Sequence, residues 1–323
     1  MRTFILRRLF NLAPVLIGIS LAAFMMMYVL PGDPAVLLAG PQAADARALA
    51  ATRARYHLDK PLYAQYGRFL GRAVRGDLGV SVRSERPVLS ILAERFVPTA
   101  MLTLGALAVA VALGMGAGLL SAARPRGWLD AACMMVALAG VSLPVFWLGM
   151  VLMILLTGAG SALAVSGYTP LEFSGAGAFA RSVPEFLSHM ILPWITLGTV
   201  TAALLARLTR SSLLEVLGRD YIRTARAKGV AEWRVLMRHA LRNALLPIVT
   251  LIGSSLAGLL SGAVLTESVF GIPGLGREIL DAIQGRDYPV VAGAVMWLAV
   301  TFVLVNLVVD LLYAALDPRI RLE

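Results

Sequence analysis

A chain of 323 residues with 59% hydrophobic and 15% charged side chains and a mean hydropathy of +0.79 is too apolar for a soluble domain of that size. Its net charge of +10 comes without the interleaved basic and aromatic pattern of a nucleic-acid surface, so the excess arginine is assigned to loop topology and anionic lipid headgroups. The single cysteine, Cys133, lies in an apolar run, which excludes an intrachain disulfide and a cysteine metal cluster.

Arg2, Arg7 and Arg8 precede an apolar run from Leu9 to Leu30, about the twenty residues a helix needs to cross a bilayer. The run passes through Met25, Met26, Met27 and Tyr28 into Pro31 with no small-residue cleavage site, so it reads as an uncleaved first span with its N-terminus inside. The long segment 31–98 is mixed in charge and reads as an ordered outer cap. Residues 43–56 have helix-forming content with Asp45 near the start, and Leu58, Leu62, Tyr66 and Phe69 recur at about helical spacing.

Five further apolar runs follow, at about Thr99–Ala122, Ala131–Thr157, Met190–Ala206, Ala244–Thr266 and Val290–Val309. The fold expected is therefore all-α with six transmembrane helices. Its organisation is a first span at 1–30, the cap at 31–98, and a five-helix core at 99–323 that carries an inner loop at 210–243. Arg124, Arg126, the basic loop, Arg319 and Arg321 fall inside, which places both termini in the cytoplasm. Pro14, Pro144, Pro193 and Pro247 lie in or beside spans and are candidate kinks, while Gly105, Gly114, Gly116 and Gly118 permit close helix contact.

The stretch 220–247, DYIRTARAKGVAEWRVLMRHALRNALLP, is a polar island between apolar runs. Asp220 is an N-cap type of residue and Gly229 a helix stop, so a helix of about two turns is expected between them. Beyond it Trp233, Leu236, Met237, Ala240 and Leu241 form an apolar row, with Arg234, Arg238 and Arg242 largely elsewhere. So small a structure must rest on the membrane surface or on a partner.

This island resembles the cytoplasmic loop that defines permease subunits of binding-protein-dependent ABC importers. Counting back from Gly229 sets Arg223, Thr224 and Ala225 on that pattern's Glu-Ala-Ala, so the second alanine and the glycine are kept. Its departures are similar to the dipeptide, oligopeptide and nickel branch. The same branch is resembled by PGDP at 31–34, LDKPLYAQY at 58–66, GDLGVS at 76–81, ESVFGIPGLG at 267–276, DYP at 287–289 and LDPR at 316–319. The resemblance implies a type I importer permease in a bacterial inner membrane, forming the path for di- or oligopeptides, or alternatively for nickel or another small solute.

It implies as partners a second, homologous permease, two ATPase subunits that hold ATP and Mg, and an extracytoplasmic solute-binding protein. Coupling to the ATPase would fall to Asp220, Tyr221, Arg223, Thr224, Ala225, Arg226, Lys228 and Gly229. An outer gate or binding-protein contact would fall to Glu267, Phe270, Gly271, Pro273, Gly274, Leu275 and Gly276.

The residues limit the chemistry available to the chain itself. Lys60 and Lys228, the only lysines, follow Asp59 and Ala227, so the Gly-Lys-Ser/Thr core of a phosphate-binding loop is missing. His57, His189 and His239 have no ligand spacing, and no metal or cofactor is expected. The span middles carry no ionisable side chain, which weakens the competing reading as an ion-coupled carrier. A non-transport membrane scaffold is the third reading. Ser142, Thr196, Thr199, Thr201, Ser254, Ser255, Ser261 and Asn306 are candidates to line a path that binds cargo weakly.

Overall fold

A computed structural model describes residues 2–29, 33–39, 44–156 and 163–316. Among these the chain is helical, with no strand and one isolated bridge between Val80 and Pro87. Leu30, Pro31, Gly32, Thr157, the LDPR residues Asp317, Pro318 and Arg319, Arg321 and the side chain of Ser261 lie outside the described residues.

The helices in order are α1 Arg2–Val29, α2 Pro34–Ala39, α3 Ala46–Tyr56, α4 Leu62–Val74, α5 Val88–Ala123, α6 Trp128–Ser142, α7 Val145–Leu156, α8 Ala176–Leu217, α9 Asp220–Ala227, α10 Glu232–Arg234, a π-helical turn Val235–Ala240, α11 Leu241–Phe270, α12 Leu275–Gln284 and α13 Tyr288–Leu316. Among the described residues four stretches are long and apolar enough to cross a bilayer: α5, α8, Glu232–Leu260 and Tyr288–Val309. The expected third span is broken. Its halves α6 and α7 meet at 111° and make a fifth crossing if taken as one. The break falls at Leu143-Pro144, where Leu143 is extended at φ −86° and ψ 134°, the conformation a following proline imposes. The shorter apolar stretch Ala13–Tyr28 of α1 stands at the first expected span.

The residues fall into two compact units. One holds α1–α4, the start of α5 up to Val97, α12 and α13 up to Leu307. In it Asp33 caps α2 by accepting from the Ala35 amide at 2.8 Å and pairs with Arg53 of α3 at 2.5 Å. Asp45 caps α3 by accepting from the Arg47 amide, as its position at the start of that helix predicts. Of the expected apolar row, Tyr66 and Phe69 pack on α1 while Leu62 stays 47% exposed: Tyr66 Oη and Ser20 Oγ share a 2.8 Å hydrogen bond, and the Phe24 ring lies 5.6 Å from Tyr66 and 5.7 Å from Phe69.

The GDLGVS and DYP motifs meet in this unit. Buried Asp287 accepts hydrogen bonds from Ser81 Oγ at 2.5 Å and from the Val82 and Arg83 amides at 3.2 Å each. One carboxylate thereby satisfies three donors and clasps the loop before α5 to the start of α13. Val88, Leu92, Leu275, Val290 and Ala294 form the core beneath it.

The other unit runs from Pro98 to Pro273 with the end of α13 from Val308. Its centre is α8: 56% of its most apolar stretch is buried, against 33% for that of α5 and 28% for that of Glu232–Leu260. Small residues let its neighbours approach. A Cβ on Gly114 of α5 would lie 2.5 Å from the Ala202 carbonyl oxygen, and one on Gly118 would lie 2.7 Å from that of Ala206. Gly140 of α6 and Gly149 of α7 meet Thr199 and Thr196 of the same helix. This close backbone approach is how helices associate where lipid offers no hydrophobic drive.

Candidate functional site

The polar island folds as expected at one end and differently at the other. Arg219, extended at ψ 150°, occupies the N-cap of α9 and makes no side-chain cap bond. Asp220 is instead the first helical residue, fully in solvent beside Arg223 at 3.4 Å. A carboxylate in the first turn favours the positive end of the helix dipole without closing an amide. At the other end Gly229 is left-handed at φ +75°, its amide donating to Arg226 O at 2.9 Å and that of Val230 to Ala225 O at 3.3 Å. These are the two bonds of a Schellman stop.

Two faces of α9 are then distinct. Ile222 and Ala225 are buried in the chain's own core, in one cluster with Leu213, Val235, Leu236, Ala240 and Ala244. Tyr221, Arg223, Thr224, Arg226 and Lys228 are exposed. Ala225 is therefore small because the chain's own helices require it, and the face open to a partner is the polar one.

The following apolar row is shifted as well. The π-helical turn buries Val235, Leu236 and Ala240 but leaves Trp233 at 67% exposure, outside the row predicted for it. The segment is braced rather than loose. Arg226 donates to Glu232 from Nε at 3.0 Å and Nη2 at 2.6 Å, and Asn243 Nδ2 donates to Tyr221 Oη at 2.9 Å and to His239 O at 2.8 Å. The Glu232 carboxylate holds the Arg226 guanidinium above its usual range. α9 follows α8 directly and leads through the π turn into α11, so its position is fixed by two spanning helices.

Asp130 carries no local signal in the sequence. In the first turn of α6 and buried, it accepts from Arg210 Nε at 2.6 Å and Nη2 at 2.8 Å, from the Arg126 amide at 2.9 Å and from Ser121 Oγ. The carboxylate thus ties the end of α5, the 124–127 turn and α8 to α6. Arg210 alone resembled one more topogenic arginine, and only a pairing across 80 residues distinguishes it.

The ESVFGIPGLG stretch is mostly structural interior, not an open loop. Glu267 is fully buried at the end of α11 and accepts from Thr99 Oγ1 at 2.6 Å. Phe270 is buried, with its ring against Gly149, and Gly271 ends α11 in the left-handed conformation at φ +67°. Pro273 is half-buried, and Gly274 is the N-cap of α12. Leu275 and Gly276 begin α12 as buried residues, so Leu275 offers no surface to an outside partner. The exposed positions of α12 are Arg277, Asp281, Ile283 and Gln284. Among the described residues no group of three His, Cys, Asp or Glu side chains is placed to hold a metal ion.

Against known proteins, residues 114–322 match the family described as binding-protein-dependent transport system inner membrane component, and residues 1–103 match its N-terminal region. The chain belongs to this family. As a permease subunit of an ABC importer, it is 43% identical over 321 residues to the glutathione transport system permease protein GsiC of Escherichia coli O6:H1, with 99% of each chain covered. It is 42% identical over the same length to GsiC of Escherichia coli K12 and of Shigella dysenteriae serotype 1, again with 99% of each covered. In structure it is similar to a chain of the MetNI methionine ABC transporter, at TM-score 0.50 and 18% identity, covering 71% of this permease and 97% of that chain. That likeness shows the fold, the type I importer permease fold. The permease is a multi-pass inner-membrane protein, and its family implies partner ATPases and a substrate-binding protein.

Proposed function

We propose that this permease passes small peptides across the inner membrane and couples their passage to two separate ATPase subunits through α9. The observation that carries the coupling role is the two-faced α9: a polar outer face of Tyr221, Arg223, Thr224 and Lys228 on a helix whose other face is buried in the core shared with α8 and α11. A helix anchored only by charge needs no such buried face. The names of the GsiC relatives support a peptide-sized cargo. In this reading ATP and Mg belong to the ATPases, both termini and the 210–243 loop are cytoplasmic, segment 31–98 is extracytoplasmic, and a second homologous permease completes the path. ATP-driven closure of the ATPases moves α9 and rocks the spans between inward- and outward-facing states. The exposed side of α12 is the better candidate surface for the binding protein, while Glu267, Phe270 and Gly271 shape the helix end behind the outer mouth.

The test is ATP hydrolysis by the purified complex with its binding protein loaded with a di- or tripeptide, glutathione or nickel. Stimulation by a peptide supports the proposal. Stimulation by nickel alone replaces the cargo assignment, and transport that persists without the ATPases overturns the coupling.

A further inference from the structure

Away from α9 and the 267–276 stretch, the unit containing α1 and α4 holds a cavity of about 470 Å³. Its floor is apolar, made by Phe24 and Met27 near the end of α1, Phe69 of α4 and Leu58. Tyr288 and Pro289 at the start of α13 line it too. The end of the apolar stretch of α1 and the start of the spanning helix α13 thus bound the cavity, which places it at the edge of the apolar segments.

Its charge is one-sided. Arg68, Arg72 and Arg75 line it against a single carboxylate, Asp77. Asp77 is engaged by Arg72 at 2.7 and 3.2 Å. Arg68 and Arg75 are exposed, and among the described residues no carboxylate lies within ion-pair distance of either. The spacing of Arg68, Arg72 and Arg75 puts them on one side of α4 and its C-cap, while Tyr66 and Phe69 face α1. An apolar trough rimmed by guanidinium groups matches a ligand with a hydrocarbon tail and an oxyanion head, and guanidinium is well suited to phosphate.

We propose that this cavity binds an anionic phospholipid, its phosphate between Arg68 and Arg75 and part of an acyl chain on Phe24, Met27 and Phe69. Bound there, the lipid joins α1, α4 and the start of α13 and holds the cap against the bilayer.

The probe is the purified full-length permease titrated with phosphatidylglycerol, phosphatidylcholine or inorganic phosphate, read by lipid binding in native mass spectrometry and by thermal stability. Phosphatidylglycerol is expected to bind and stabilise, with the other two much weaker. One arginine beside an anionic surface corresponds to about a fivefold change in affinity, so Arg68→Gln with Arg75→Gln should weaken phosphatidylglycerol binding roughly thirtyfold. Gly71→Trp, which places a ring over the cavity from a position with open space around it, should abolish the stabilisation without lowering the lipid-free melting temperature. Arg83→Gln, outside the cavity, should change neither readout. Equal effects of the two lipids, a full effect of phosphate alone, binding unchanged in both variants, or a second permease subunit crosslinked in the groove in place of lipid would each overturn the proposal.

Discussion

Replacing Gly114 by alanine adds one methyl group where α5 lies against the backbone of α8. The added Cβ would stand 2.5 Å from the Ala202 carbonyl oxygen and 2.7 Å from Leu205 Cβ. Carbon contacts settle near about 3.5–4.0 Å, so α5 and α8 must part by roughly 1 Å at this point. Both obstacles are backbone or Cβ atoms, and no rotamer change relieves them. Overpacking of this kind costs about 1–3 kcal/mol, whereas alanine returns up to about 1 kcal/mol of helix propensity, so the clash wins by about 1 kcal/mol at the middle of the ranges.

Gly116, half a turn on, has nothing within 4 Å of its added Cβ and keeps only the favourable term. The two substitutions on one helix should therefore move stability in opposite directions. Melting of the purified permease in detergent measures both: Gly114→Ala should melt below wild type and Gly116→Ala at or above it. Equal melting of the two variants, or Gly114→Ala above wild type, would refute the packing argument.

Asp130→Asn leaves Arg210 without its charge partner and should lower the melting temperature by several degrees. Adding Arg210→Met should recover part of the loss, because the uncompensated charge is then gone; a single variant as stable as wild type would show that the pair contributes nothing. Gly229→Val puts a β-branched residue at φ +75° with no atom within 4 Å to obstruct it, so its cost is backbone strain alone, about 1–2 kcal/mol. The variant should insert normally and transport up to about tenfold more slowly, with Gly229→Asn close to wild type because asparagine tolerates the left-handed region. Uptake in reconstituted vesicles decides it, and a fully active Val variant would mean that the end of α9 has no part in coupling.

What was legible in the sequence was local or periodic. The Gly229 stop and the Asp45 cap rest on chemistry within a few residues, and the apolar runs mark spans by length alone. The helix ends of those runs were not legible: α8 extends well beyond Met190–Ala206 because Arg181, Glu185, Arg207 and Arg210 continue the helix while interrupting the apolar run. Trp233 falls outside its expected face because a π turn resets the helical register, and no composition rule announces one. The glycines of 267–276 signalled turns, yet tertiary packing buries Leu275 and Glu267. Asp287 with Ser81 and Asp130 with Arg210 pair across 206 and 80 residues, and a single sequence carries no sign of which donor a distant carboxylate will meet.

In the proposed coupling, the outer face of α9 seats in an ATPase subunit. A photo-crosslinker at Thr224, which is exposed on that face, read in the assembled complex with and without ATP, tests it without disturbing the buried residues Ile222 and Ala225. An adduct with the ATPase is expected at Thr224 and none from a crosslinker at exposed Trp128, at the start of α6. Adducts with lipid alone through the whole ATP cycle, or equal capture of the ATPase at both positions, would contradict it.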